Sequence, residues 1–208
     1  MTWICDGKSA AVLIYDDAGR LLAHTRATAP AGIALGPAGH VDDVHPGATH
    51  LDAAVCETQE EYGLTVSPDD LDLVLHRWLP NRCGADVPAL PRGGHEWMVY
   101  RARTWSGQTA AAPDEVQALH WCTPAQLQHL AERTIDYVRG RLADEDWQAC
   151  PGMEPVWVYM AEMLNLVRLP APDLTAVLNY AQAVAERKHR ERVRTHLDAA
   201  LLTASGQG

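Results

Sequence analysis

What this chain lacks narrows it before any motif does. It has no run of 18 or more apolar residues, so no segment is expected to cross a membrane as a helix. Its first residues, Met1-Thr2-Trp3-Ile4-Cys5-Asp6, lack the basic and then apolar layout of a secretion signal. It has no CxxC pair. Cys5, Cys56, Cys83, Cys122 and Cys150 are scattered and odd in number, which fits reduced thiols and a cytoplasmic location rather than a disulfide frame. Lysine is almost absent (Lys8 and Lys188 only), and the net charge is −10. Such a balance offers no broad basic surface, so neither nucleic acid nor an anionic membrane is expected as a partner. A phosphorylated small molecule stays open, because bound cations and a few arginines can outweigh net charge locally.

What is present suits one medium domain with an addition, or two small ones: 208 residues with 47% apolar content. Ala10–Tyr15 and Leu21–His24 read as strands joined across the Asp16-Asp17-Ala18-Gly19 turn. Residues 29–39 are rich in Pro and Gly and read as loop, as do residues 81–94. Leu71–Trp78, His95–Ala102 and Val116–Trp121 read as three further strands. Thr123-Pro124 is a cap and first-turn pair that opens a helix. Two strands, a helix and three strands do not alternate as a doubly wound sheet requires, so an α/β fold with a mixed sheet and helices on its faces is expected.

The most informative segment is Cys56-Glu57-Thr58-Gln59-Glu60-Glu61-Tyr62-Gly63-Leu64. On a helix capped by Thr49, Glu57, Glu60 and Glu61 share one arc of about 100°, while Leu51, Ala54, Val55, Thr58 and Tyr62 fall on the opposite arc and face a core. Gly63 closes the helix. Three like charges on one short face repel, and a divalent cation with a preference for hard oxygen ligands, Mg²⁺ or Mn²⁺, removes that repulsion.

This segment resembles the second half of the Nudix box, the signature of the Nudix hydrolases. It matches at all three Glu, at Gly63 and at Leu64. Pro37-Ala38-Gly39-His40-Val41 resembles the start of the box, with Gly39 as its glycine. Gly39 to Cys56 is 17 positions, three more than the family pattern. Cys56 stands where the family has Arg, and Ala48 where it has the first box Glu; Asp42, Asp43 and His45 are candidates to anchor the loop instead. Asp114-Glu115-Val116 followed by Trp121-Cys122-Thr123-Pro124 resembles the end of a Nudix domain. The resemblance spans residues 8–135.

The resemblance implies an α/β/α sandwich over residues 1–138, followed by a helical extension over 139–208. It also implies hydrolysis of the diphosphate linkage of a nucleoside diphosphate derivative. Glu57, Glu60, Glu61 and the Gly39 carbonyl would hold Mg²⁺ or Mn²⁺, with Glu115 completing the site or acting as base and Glu96 as the second choice. Arg26, Arg77 and Arg82 are candidate phosphate contacts, with Arg92 beside them. Trp78, Trp97 and Trp121 could stack a base, although core roles suit them. A non-catalytic nucleotide-binding module is an alternative motivated by Cys56 and Ala48. A prenyl diphosphate hydrolase or isomerase, with Cys83 and Glu115 in proton transfer, is another.

Three further readings concern the remaining residues. Cys83 and His95 are two zinc-type ligands without a second pair. Asp173 caps a long helix whose apolar face packs on the core or on a second copy, making a homodimer an expectation, and Gly206–Gly208 fray. The basic run Glu186–Arg194 reads as a solvated helix face.

Overall fold

The structure, a computed structural model, describes residues 4–83, 85 and 93–205, with side chains described as far as residue 195. Arg92 and Gly206–Gly208 lie outside the described residues. No described helix is long and apolar enough to cross a membrane.

Two sheets form the centre. The larger joins β1 (Lys8–Leu13), β4 (Ala38–His40), β5 (Leu71–Leu79) and β6 (His95–Ala102) in the order β4-β1-β6-β5, with β1 and β6 parallel and the other pairs antiparallel. The smaller joins β2 (Leu21–Arg26), β3 (Ile33–Ala34) and β7 (Val116–Cys122) in the order β3-β2-β7, all antiparallel. The expected hairpin between the first two strands is corrected here. The turn forms, with the Gly19 N–H donating to the Asp16 carbonyl at 2.9 Å, but after the Tyr15–Leu21 bridge the strands part into different sheets. Residues 29–39 are likewise not all loop, since they hold β3 and the start of β4.

β1 explains the layering. Ala10, Val12 and Ile14 pack with Ala53, Ala54 and Tyr62 of α1 (His50–Tyr62), whereas Ala11 and Leu13 join a second core with Leu127, Ala131 and Ile135 of α2 (Pro124–Val138). A strand covered on both faces reads as an unbroken apolar run, and this one does. Helices on both sides of the central sheets give the α/β/α sandwich.

The second core also takes in Val156, Trp157, Val158, Met160 and Ala161 of α4 (Pro155–Met163) and Val177 of α5 (Ala171–Ser205). The C-terminal helices thus pack on the core, as expected. Asp173 does not cap α5. The helix begins at Ala171, so Asp173 lies in its first turn, where its charge favours the positive end of the helix dipole and pairs with Arg139 at 2.8 Å. A short helix, α3 (Asp144–Ala149), precedes α4. In the basic run, Arg190 pairs with Glu186 and Lys188 with Glu191 along the α5 surface.

Candidate active site

The start of α1 is held by a reciprocal cap. The Thr49 side chain accepts from the Asp52 N–H at 3.2 Å, and the Asp52 carboxylate accepts from the Thr49 N–H at 2.8 Å. Its end is set by Gly63 at φ 69°, a left-handed conformation in which the Gly63 N–H donates to the Gln59 carbonyl at 3.0 Å. The last carbonyls find partners in the following loop: the Ala110 N–H donates to Tyr62 at 2.8 Å and the Ala112 N–H to Glu61 at 3.1 Å. That loop runs on into β7 through Glu115, whose carbonyl accepts from the Ala27 N–H at 2.8 Å. Satisfying the end of the helix thus carries the Glu115 carboxylate to its acidic face.

Carboxylate oxygens of Glu57, Glu61 and Glu115 lie within 4.8 Å of one another. Glu57 and Glu61 are 8% and 5% exposed, which corrects the expectation that their face simply opposes the core. Leu51 and Val55 are half-buried and pack against the core as expected, and Ala53 joins it too. Burial, together with the charges of Glu115, Glu60 and Asp43, pushes the Glu57 carboxyl up to about 8. Glu61 is pushed well above the carboxylate range by burial, by Glu57 and by a hydrogen bond with Glu115, against the Ala38 N–H that donates to it at 3.0 Å. Glu60 is exposed at the rim.

Gly39 stands against this cluster, and a Cβ there would run into the Glu57 carboxylate. Backbone packed this closely against converging carboxylate oxygens suits a divalent cation that takes hard oxygen donors.

The carboxylates open on a cavity of about 490 Å³, within the range of small-molecule sites. Three buried polar atoms on its lining have no hydrogen-bond partner among the described residues: Arg26 Nε, Asn81 Oδ1 and Trp97 Nε1. Arg26 otherwise reaches Thr28 Oγ1 at 3.3 Å and Glu154 at 3.7 Å. Glu154 is positioned by its own N–H, which donates to Ile33 in β3 at 2.9 Å. Trp157 lines the cavity beside it, its ring 6.2 Å from that of Trp97. Below them, buried His24 sits 2.9 Å from the Tyr62 hydroxyl, and burial together with Arg26 and His120 lowers its pKa to about 3, leaving it neutral.

Of the residues expected from sequence, Arg26, Gly39, Glu57, Glu60, Glu61, Arg82, Trp97 and Glu115 all border this cavity. Others do not. Glu96 projects from β6 and pairs with His76 at 2.7 Å. Arg77 lies outside the cavity lining, on a part of β5 where His76, Arg77 and Trp78 are all exposed, Trp78 at 42%. Trp121 stacks on Trp105 at 6.0 Å. His45 is exposed in the loop, whereas Asp43 pairs with His40 at 3.5 Å and Asp42 accepts from the Asp6 N–H at 3.3 Å. Cys83 does not border the cavity, so the proton-transfer pairing of Cys83 with Glu115 has no geometric support. Sequence reading missed Asn81, Glu154 and Trp157. The signal for the last two was only an apolar segment opened by Glu-Pro, which says helix and not cavity.

A family model described as the NUDIX domain matches residues 6–140. No curated protein matches the chain. Among solved structures, a MutT NUDIX hydrolase from Burkholderia pseudomallei is 25% identical, with 60% of this chain and 85% of that chain covered and a TM-score of 0.40. A MutT structure from work on Aliivibrio salmonicida and Vibrio cholerae is 18% identical, with coverages of 59% and 83% and a TM-score of 0.43. An Ap4A hydrolase from C. elegans is 23% identical, with coverages of 57% and 81% and a TM-score of 0.39.

Proposed function

The chain belongs to the Nudix hydrolase family through residues 6–140, and from that premise we propose that it cleaves the diphosphate linkage of a nucleoside diphosphate derivative with Mg²⁺ or Mn²⁺. The observation that carries this reading is the convergence of Glu57, Glu61 and Glu115 within 4.8 Å at the wall of a 490 Å³ cavity.

Glu57, Glu61 and Glu115 would hold the cation, with the Gly39 carbonyl beside them and exposed Glu60 able to join. When bound, the cation supplies charge neutralisation on the phosphate oxygens and acidifies a water. The protein's own groups do the rest. Arg26 and Arg82 face the anionic substrate, and Arg26 Nε and Trp97 Nε1 are donors with no partner among the described residues, open to phosphate or ribose oxygens. Asn81 Oδ1 offers the complementary acceptor. Water adds across the linkage: its oxygen bonds to phosphorus, the bridging oxygen departs, and the proton passes to a carboxylate. Glu115 is proposed for that role, because it is exposed where Glu57 and Glu61 are buried.

Trp157 and Glu154 lie in the 139–208 extension and border the cavity, so the extension is proposed to take part in choosing the group attached to the diphosphate. Dinucleotides such as that named for the C. elegans neighbour are among the candidates. Replacement of the family Arg by Cys56 does not scatter the carboxylates, since the Ala38 N–H holds Glu61.

The test is release of nucleoside monophosphate and phosphate from nucleotides, nucleotide sugars, dinucleotides and prenyl diphosphates with Mg²⁺ or Mn²⁺, beside Glu61→Gln. Metal-dependent turnover lost in the variant is the expected result. Ligand-induced thermal stabilisation without turnover would replace this reading with that of a binding module.

A further inference from the structure

A second set of donor side chains has no part in the chemistry above. The ligating atoms of Cys5, His40, Cys83 and His95 also lie within 4.8 Å of one another. Cys5, Cys83 and His95 are 3%, 4% and 1% exposed, so this is an interior cluster and not a surface coincidence. Cys5 Sγ is 3.3 Å from His95 Nε2, and Cys83 Sγ is 3.8 Å from His40 Nε2. A tetrahedral zinc with ordinary Zn–S and Zn–N bonds places its sulfur and nitrogen ligands about 3.5 Å apart. The two distances bracket that edge.

The imidazoles are already oriented. Both turn Nε2 toward a sulfur and give Nδ1 to an oxygen: His95 Nδ1 lies 2.9 Å from Ser9 Oγ, and His40 Nδ1 lies 3.5 Å from Asp43 Oδ2. An outer oxygen partner on the far nitrogen is the arrangement that fixes a metal-bound histidine. The rings cross nearly edge to face at 4.6 Å between centroids.

We propose that Cys5, His40, Cys83 and His95 form a structural zinc site distinct from the carboxylate site. Two thiolates and two imidazoles select zinc over Mg²⁺, whose hard-oxygen preference the Glu cluster meets instead. Four protein ligands complete a tetrahedron and leave no open position for substrate, which makes the site structural. It clamps four segments at one end of the larger sheet: the chain before β1, the last residue of β4, the chain after β5, and the first residue of β6. His40 follows Gly39, and Cys83 follows Asn81 and Arg82, so the clamp sets two edges of the cavity. It therefore supplies the loop anchoring that Cys56 and Ala48 no longer provide; this consequence rests on the hydrolase reading, whereas the zinc site does not.

The experiment is elemental analysis of the full chain, purified from zinc-supplemented medium and dialysed, beside Cys5→Ser, Cys83→Ser and Glu61→Gln. Stoichiometric zinc is expected in the unmutated and Glu61→Gln proteins, falling to background in the two cysteine variants. Because those variants could fail to fold, the unmutated protein is also exchanged into Co²⁺. Intense visible bands of tetrahedral cobalt and a thiolate charge-transfer band are expected. Absence of zinc together with a weak octahedral cobalt spectrum would overturn the proposal. So would zinc retained in both cysteine variants, zinc lost in Glu61→Gln, or a Cys5–Cys83 disulfide in place of metal.

Discussion

The carboxylate cluster takes two of its three members from adjacent turns of one helix, whereas the thiol–imidazole cluster takes its four from segments as much as 90 residues apart. The first is built of hard oxygen donors whose burial and mutual repulsion raise Glu57 and Glu61; the second is built of softer donors oriented by a serine and an aspartate. The contrast teaches that spacing along a helix suffices to assemble like charges, at an electrostatic cost the fold must bear. A mixed set of sulfur and nitrogen needs the sheet to bring distant strands into register. A chain of ring contacts links the two neighbourhoods: His95 to Trp97 at 6.4 Å and Trp97 to Trp157 at 6.2 Å.

Glu61→Gln gives the sharpest break. Turnover is expected to fall by about 10²–10⁴-fold, while the melting temperature in metal-free neutral buffer rises, because Gln need not take up a proton on folding as Glu61, with its raised pKa, must. Calorimetry showing a lower melting temperature would mean that the carboxylate cluster does not carry the strain ascribed to it. Trp157→Ala acts on the link between the two neighbourhoods. Trp157 is 2% exposed, and its truncation is expected to cost about 3–5 kcal/mol by denaturant unfolding. A loss under 1 kcal/mol would separate the C-terminal helices from the core. Gly39→Ala places a Cβ on the Glu57 carboxylate; kcat is expected to drop by up to about 100-fold with the fold retained by circular dichroism.

A pH effect follows from Glu57, whose carboxyl titrates at about 8 folded against an ordinary 4.5. Between those values the folded chain binds more protons than the unfolded one, so metal-free stability falls as pH rises through that window. Protons compete with the cation over the same range, and the apparent Mg²⁺ affinity is expected to rise with pH up to about 8. Melting curves and Mg²⁺ titrations from acid to mildly alkaline pH check both signs. The smallest contrast is between two arginines. Arg26→Ala removes a cation lining the cavity and is expected to raise KM about tenfold or more. Arg77→Ala, on an exposed strand position, is expected to change stability and kinetics by no more than about 0.5 kcal/mol. Equal effects from the two would deny the cavity its role.

The structure also separates what could be read early from what could not. The strands Leu71–Leu79, His95–Ala102 and Val116–Cys122 lie where alternation and bounding turns place them, and α2 begins after Thr123 as its cap and Pro124 require. Local rules sufficed there because each signal sits within the element it specifies. β3 and β4 were hidden because they are two and three residues long and sit in a stretch rich in Pro and Gly, while their pairing with β2 and β1 decides their shape. Cys83 and His95 were visible as half a metal site. Cys5 and His40 could not be joined to them, since nothing in one dimension aligns Ser9 with His40 and with the strand that starts at His95.

By itself the sequence determined the acidic helix, its Thr49 and Gly63 ends, and the family to which the chain belongs, because a helix repeats its geometry every few residues and its side chains are placed by counting. Only the tertiary structure decided that Glu57 and Glu61 are buried, that Glu115 meets them, that α4 walls the cavity, and that two cysteines and two histidines converge. Those outcomes depend on sheet register and on the docking of helices across a shared core, where contacts are set by distance in space and not along the chain.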